Sequence, residues 1–130
     1  ISLINGFFNL TYVRNTGAAF GLLGRTDPSF RIPFFIIVPM IALGVIFYIF
    51  RKVEDKDLKL ATALSLVIGG AFGNLIDRAA YNYVIDFLDF HWQYKIHFPA
   101  FNVADTAICI GVALLMLDIL KKDTNVSGSA

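Results

Sequence analysis

The feature that most constrains this chain is an apolar run of nineteen residues, 32–50, which contains no charged side chain and is followed by Arg51 and Lys52. At about 1.5 Å per residue, a helix of this length nearly spans a bilayer hydrocarbon core of about 30 Å. Pro33 suits the first turn of such a helix, whereas Pro39 lies inside it and is expected to bend it. The run therefore predicts a first transmembrane helix.

Two further apolar segments, 60–76 and 103–120, have the same character. Of all residues 57% are hydrophobic and only 16% are charged, whereas soluble domains carry about 25% charged residues. We therefore predict an all-α integral membrane protein, with a single membrane-embedded domain over 1–130 that forms a bundle of transmembrane helices. The polar residues 123–130 are predicted to form a disordered tail.

Small residues in the second apolar segment predict close helix packing. Gly69 and Gly73 are four residues apart, with Gly70 between them. This spacing on one helical face lets another helix approach closely. We prefer this interpretation to backbone contact with a ligand.

Basic residues predict how the helices are oriented. They follow the first and third apolar segments and comprise Arg51, Lys52, Lys56, Lys59, Lys121 and Lys122. Because cytoplasmic loops are enriched in lysine and arginine, these ends are predicted to face the cytoplasm. Residues 1–31 and the loop 79–102 are then extracytoplasmic, and the tail 123–130 is cytoplasmic.

The extracytoplasmic segment 1–31 is predicted to contain a strand and loops. Residues 8–13 alternate with a period of two, which is typical of a strand. The following Asn15-Thr16-Gly17 is a turn sequence, in which glycine tolerates positive φ.

Asp86 and Asp105 each lie among apolar neighbours, in the sequences VIDF (84–87) and VAD (103–105). An unpaired carboxylate in a low dielectric is so unfavourable that such groups are usually neutral, paired or functional. Two acids that share a proton can act on water as general base and general acid, as in aspartic proteases. The two aspartates are therefore a candidate catalytic dyad for peptide hydrolysis.

Other polar residues near the same ends of the segments have structural alternatives. Asn74, Asp77 and Arg78 share one helical face by their spacing, and that face is expected to point into the protein. Asp77 and Arg78 can equally form an ion pair. Asn102 is suited to cap a helix, and Asn15 to stabilise a turn.

Metal, redox and nucleic-acid functions have little support. His91, His97 and Asp89 are residue types that bind metals, but they lack a compact ligand spacing, so no metal site and no cofactor is predicted. Cys109 is the single cysteine, lies in an apolar run and is interpreted as a small apolar side chain. The net charge of +1 gives no electrostatic argument for nucleic-acid binding.

Four motifs, in this order along the chain, are similar to those of a known family. They are NTGAAF (15–20), GGAFGNLIDR (69–78), VIDF (84–87) and FNVAD (101–105). Together they resemble the lipoprotein signal peptidases, also called signal peptidase II, and they cover essentially the whole chain.

The resemblance implies an aspartic endopeptidase of the bacterial inner membrane, with its active site at the extracytoplasmic face. Such an enzyme cleaves diacylglyceryl-modified prolipoproteins before the lipidated cysteine and releases the signal peptide. The catalytic pair carries over to Asp86 and Asp105. Supporting positions around this pair carry over to Asn15, Gly17, Asn74, Asp77, Arg78, Asn102 and Ala104. The expected partners are the prolipoprotein, membrane lipids and inhibitory peptide antibiotics of the globomycin type.

The resemblance also implies a fold of four transmembrane helices with a small extracytoplasmic β-sheet cradle. The family's additional helix lies at the amino terminus and bears an Asp-Gln pair and a lysine. Nothing in this sequence corresponds to it, so three transmembrane helices are expected here.

Two other classes of function are compatible with these polar residues. Intramembrane carboxylates can relay protons in transporters, although here they gather at one end of the spans and none lies near mid-depth. A non-catalytic scaffold for lipoproteins would use Asp77, Arg78 and the asparagines only to tie the outer loops to the bundle. Replacing either dyad acid with asparagine distinguishes these functions, because hydrolysis alone requires loss of cleavage.

Overall fold

A computed structural model describes residues 1–18 and 22–128. Three long helices are combined with one small sheet. In chain order the elements are β1 (Ser2–Ile4), β2 (Phe8–Asn15), α1 (Pro28–Phe50), α2 (Leu58–Tyr81), β3 (Val84–Trp92), β4 (Ile96–His97) and α3 (Val103–Gly128). This arrangement confirms the predicted membrane helices and the small sheet.

All three helices are long and apolar enough to cross a membrane, with mean hydropathies of 2.6, 1.5 and 2.2 in chain order. Most apolar side chains of α1 and α3 are not buried within the protein, whereas α2 is the most buried of the three. Apolar side chains that face outward along a membrane-length helix are stable in lipid, because lipid tails are themselves apolar. The chain is therefore a multi-pass membrane protein.

Helix ends are set by capping residues outside the apolar runs, so α1 and α2 are longer than predicted. The Asp27 side chain caps α1 by accepting from the Ser29 N–H at 2.8 Å. Asp57 caps α2 through the Leu60 N–H. At its other end α2 closes on Asn82 in the left-handed conformation, with φ of 63°. Hydrophobicity indicates the membrane-embedded part only, and the caps add the flanking turns.

Helix α3 also differs from the prediction at its carboxyl end. It continues to Gly128, so residues 123–128 are helical rather than disordered, and 129–130 lie outside the described residues. No glycine or proline interrupts the sequence between Gly111 and Gly128. Because those residues are the strongest helix breakers, the helix continues through the polar residues beyond its apolar segment.

Helices α2 and α3 pack closely through glycine. A Cβ atom at Gly70 would overlap the Ala104 carbonyl, and one at Gly111 would lie 2.7 Å from the Ala63 carbonyl. Gly73 meets Ala104 at an ordinary distance, whereas Gly69 has nothing within 4 Å. The second segment therefore packs closely on another helix as predicted, and this helix is α3, with the tightest contact at Gly70 rather than at Gly69.

The four strands form an antiparallel sheet in the order β1-β2-β3-β4. Strand β2 contains the predicted strand at residues 8–13. The segment 79–102 was expected to be a loop, and this expectation was wrong because it contains β3 and β4. Asp86 lies two residues after Val84 on the same face of β3, and both residues are buried. A polar residue therefore occupies a position where an alternating strand would have an apolar one.

Candidate active site

Four elements, β2, β3, α2 and α3, meet at one end of the helix bundle. Strand β2 ends at Asn15, and its partner strand β3 places Asp86 opposite Val13. Helix α3 begins beside them, with Asn102 just before its first residue and Asp105 in its first turn. Helix α2 contributes Asn74 and Arg78 from its last turns. Residues that are distant in sequence thus form one polar cluster, held together by the hydrogen bonds described next.

The carboxylate of Asp86 is buried, with the residue 3% exposed. Its Oδ2 accepts from Asn15 Nδ2 at 3.2 Å, and its Oδ1 accepts from Asn102 Nδ2 at 3.2 Å. Each carboxylate oxygen therefore has a neutral amide donor rather than a cation.

Asp105 and Asn102 form a reciprocal helix cap. The backbone N–H of Asp105 donates to Asn102 Oδ1 at 2.9 Å, and the backbone N–H of Asn102 donates to Asp105 Oδ2 at 3.2 Å. This is the capping-box arrangement, with asparagine and aspartate in place of the usual serine and glutamate. The second oxygen, Asp105 Oδ1, accepts from Asn74 Nδ2 at 2.9 Å.

Asn102 joins the two acids. Its Nδ2 donates to Asp86 and to Asn74 Oδ1 at 3.0 Å, while its backbone holds Asp105. Asn102 and Asn74 are themselves buried. Because both carboxylates share this buried neighbour, they are fixed at the same site by the start of one helix.

Burial raises the pKa of Asp86 above its ordinary value of 3.8. The nearby Asp105 carboxylate raises it further, while the hydrogen bonds from Asn15 and Asn102 and the charge of Arg78 oppose the rise. Desolvation disfavours a charged carboxylate, so the net effect favours the protonated form of Asp86. A carboxyl group with a raised pKa beside a second carboxyl group is suited to donate and accept a proton during hydrolysis.

The remaining predicted supporting residues hold the surroundings of the acids. Arg78 donates to the Gly17 carbonyl at 2.9 Å and lies over the Phe35 ring at 5.2 Å. Asp77 does not bond to Arg78 in the described structure; it accepts from the Ile85 N–H at 3.2 Å, directly before Asp86. These contacts connect α2 to both β3 and the β2–α1 connection.

Two of the predicted positions act through their small size. At Gly17 a Cβ atom would lie 2.6 Å from the Gly24 nitrogen, so only glycine fits there. Ala104 packs on α2 beside Gly70 and Gly73. The last two residues of the motif at 15–20 lie outside the described residues.

Both acids line one cavity of about 620 Å³. Its wall is mostly apolar and extends along α1 and the first two turns of α3. The apolar lining comprises Ala18, Phe34, Phe35, Val38, Pro39, Phe98, Ala100, Phe101, Ile108, Cys109 and Ile110. From Asp105 to Ile110 the helix rises about 8 Å, so the cavity reaches from the acids into the apolar part of the bundle. It can hold an apolar ligand next to two carboxylates.

The aromatic wall residues were not predicted as site residues. Phe98 and Phe101 follow β4 in a stretch rich in aromatic residues, and Phe34 and Phe35 belong to the first apolar run. Their sequence context resembles that of lipid-facing side chains. Only Phe101 had a sequence position that indicated a place near the site, because it directly precedes Asn102.

Three membrane-length helices, a small sheet and a pair of carboxylates joined by one asparagine define a polytopic membrane protein with the acid pair that aspartic peptidases use. The comparison with known families is consistent with this class. Residues 1–121 match the family described as signal peptidase (SPase) II. The chain therefore belongs to the signal peptidase II family and is a protease of the membrane.

Individual proteins with similar sequences support the same family. The chain is 54% identical to the lipoprotein signal peptidase of Geobacter sulfurreducens over 123 residues, which is 95% of this chain and 75% of the relative. It is 50% identical to that of Geobacter metallireducens, covering 95% of this chain and 74% of the relative. A solved structure described as a bacterial membrane enzyme superimposes with a TM-score of 0.82 at 38% identity, covering 96% of this chain and 73% of that one.

Proposed function

We propose that this protease removes the signal peptide from diacylglyceryl-modified prolipoproteins by cleaving before the lipidated cysteine. Water activated by Asp86 and Asp105 is the nucleophile in this proposal. The observation that carries it is the shared asparagine, Asn102, which contacts both carboxylates at the mouth of an apolar cavity.

The two acids have different roles. Asp86, the more buried of the two, is the proton donor in this proposal, and Asp105 is the acid that accepts a proton from water. Asp105 takes a proton from water as the oxygen attacks the scissile carbonyl, while Asp86 gives its proton to the carbonyl oxygen. The resulting gem-diol collapses when Asp105 passes its proton to the leaving nitrogen and a hydroxyl of the diol returns one to Asp86. The two acids exchange protons with substrate and need no covalent intermediate.

The cavity supports a lipidated substrate. Its apolar wall begins beside the acids and continues into the membrane-embedded part of α3, where acyl chains would lie. Each buried methylene contributes about 0.8 kcal/mol, so several buried methylenes of an acyl chain provide strong binding. The enzyme then needs few contacts to the side chains of the substrate. Membrane lipids and peptide antibiotics of the globomycin type would compete for the same space.

The orientation of the chain supports an active site at the extracytoplasmic face of the bacterial inner membrane. The basic residues at 51–59 and at 121–122 lie at the opposite ends of the helices from Asp86 and Asp105. By the positive-inside rule those basic ends are cytoplasmic. A signal peptide crossing the membrane would then present its cleavage site at the acids.

The test is cleavage of a diacylglyceryl-modified prolipoprotein by the parent, Asp86→Asn and Asp105→Asn, followed by gel shift. Asp118→Asn is the matched control, because Asp118 lies near the other end of α3 and bonds to Lys122. Both dyad variants should lose cleavage while retaining substrate binding, and the control should cleave like the parent. Cleavage by either dyad variant at a near-parental rate would overturn the assignment.

A further inference from the structure

A second polar cluster lies on β3 and β4. Asp89 and His91 are two residues apart on β3, so their side chains share a face of the sheet. His97 on β4 is the direct cross-strand partner of His91, and such partners also share a face. A hairpin therefore brings together one carboxylate and two imidazoles that the linear spacing did not indicate as a site.

The ligand atoms of these three residues lie within 4.8 Å of one another. The Asp89 carboxylate is 3.8 Å from His91 Nδ1 and 3.5 Å from His97 Nδ1. Ligand atoms around one tetrahedral zinc ion, each about 2.0–2.1 Å from the metal, are separated by about 3.3 Å. The ligand atoms must therefore approach one another by at most about 1.5 Å to surround one ion.

His91 provides an independent indication of a ligand. Its side chain is completely buried, yet neither ring nitrogen has a hydrogen-bond partner among the described residues. Asn9 is the cross-strand partner of Asp89, and its buried Oδ1 likewise lacks a partner within that part of the chain. Buried polar atoms normally have partners, so several unpaired atoms in one place are evidence for a ligand-binding site.

The geometry points to a binding site for a divalent transition metal of the zinc type, with His91, His97 and Asp89 as ligands. Two imidazoles and one carboxylate suit Zn²⁺, whereas Mg²⁺ and Ca²⁺ prefer oxygen alone. His91 anchors the site from inside the protein. The side chain of His97 is 51% exposed, which leaves an open side for a water ligand.

The metal would add a connection between β3 and β4, which are otherwise joined near this point by the hydrogen bond from the Phe98 N–H to the Phe90 carbonyl at 2.9 Å. Strand β4 has two residues, and the turn before it places Gln93 and Tyr94 at φ of 50° and 58°. Residues other than glycine are strained at such angles. Phe98 follows His97 directly, and its side chain lines the cavity that holds Asp86 and Asp105. A metal that ties β4 to β3 would therefore fix part of the cavity wall.

The test is a Co²⁺ and Zn²⁺ titration of the full chain, purified in detergent without a polyhistidine tag. Co²⁺ reports its ligands through its visible absorption, and Zn²⁺ should displace it at one equivalent. His97→Asn and Asp89→Asn should each weaken binding by at least about tenfold. His91 is not replaced, because a change at a fully buried position can prevent folding.

Two variants serve as controls. Ile96→Ala changes an exposed neighbour on the same short strand and should bind metal like the parent. Asp86→Asn removes an acid of the candidate active site and should also leave metal binding unchanged. Hydrogen exchange of residues 93–98 should slow when Zn²⁺ is added to the parent but not to His97→Asn.

Three outcomes would overturn the proposal. The first is no saturable binding by the parent, the second is parental binding by the two ligand variants, and the third is loss of binding in Asp86→Asn. The last result would assign the metal to the carboxylates of the active site. Because metal affinity is read independently of cleavage, the result does not depend on the proposed peptidase mechanism.

Discussion

Asn102 and Asp105 exchange two hydrogen bonds, each from the backbone N–H of one residue to the side chain of the other, at 3.2 and 2.9 Å. The same contact that begins helix α3 therefore also orients a candidate catalytic carboxylate. Asn102 has a further function, because its Nδ2 reaches Asp86. Helix capping and the arrangement of the acids are thus combined in one side chain, and two substitutions can separate them.

Asn102→Ser keeps a capping oxygen and loses the amide that reaches Asp86, whereas Asn102→Ala loses both. The alanine variant should unfold at lower temperature than the serine variant, by the equivalent of about 0.5–2 kcal/mol for an N-cap. Both should cleave about two- to tenfold more slowly, because the lost hydrogen bond to Asp86 contributes about 0.5–1.5 kcal/mol. Thermal unfolding and cleavage rates of the two variants check this. Cleavage by Asn102→Ser at the parental rate would show that Asn102 acts only as a helix cap.

Asp86→Asn should change how stability depends on pH. The folded-state pKa of Asp86 is raised above its ordinary value of 3.8, so its stabilising contribution is full below that value and is lost as the pH rises through the folded pKa. Asparagine does not titrate. The parent should therefore lose stability relative to the variant as the pH increases from about 4, by at most about 1.4 kcal/mol per pH unit.

The measurement is thermal or denaturant unfolding of both proteins in one detergent over a series of pH values. Met116→Leu is the control, because Met116 is an exposed apolar residue and the change removes no titratable group. A stability difference between parent and Asp86→Asn that is constant with pH would show that burial does not shift the pKa of this acid.

The helices could be predicted from sequence because each presents a long apolar run to lipid, and the membrane thickness then sets the length. Strand β3 could not, since Asp86 and His91 occupy its buried positions and leave no apolar alternation. The bridge through Asn102 joins residues that are 16 and 28 positions apart. Such contacts depend on how α2, β3 and α3 pack, which local patterns do not specify. The contact between His91 and His97 could not be predicted either, because it depends on the pairing of β3 with β4.

Gly70→Ala should destabilise the protein, whereas Gly69→Ala should not. A Cβ at Gly70 would overlap the Ala104 carbonyl on α3, while at Gly69 nothing lies within 4 Å. Inserting a methyl group into a tightly packed contact typically costs about 1–3 kcal/mol. Because Ala104 adjoins Asp105, the Gly70 variant should also cleave more slowly. Unfolding temperatures and cleavage rates of this matched pair test the packing, and equal stability of the two variants would contradict it.

Cys109→Trp should block substrate binding by filling the cavity. Cys109 lines the apolar wall one turn beyond Asp105, and a tryptophan there would occupy the space proposed for an acyl chain. Met116→Trp is the control, because Met116 is exposed on the outside of the same helix and faces lipid. We expect kcat/KM for a lipidated prolipoprotein to fall by at least about tenfold in the first variant and to stay near the parental value in the second.

A globomycin-type peptide should likewise bind the control and not Cys109→Trp. Parental kinetics in Cys109→Trp would show that this cavity does not hold the substrate.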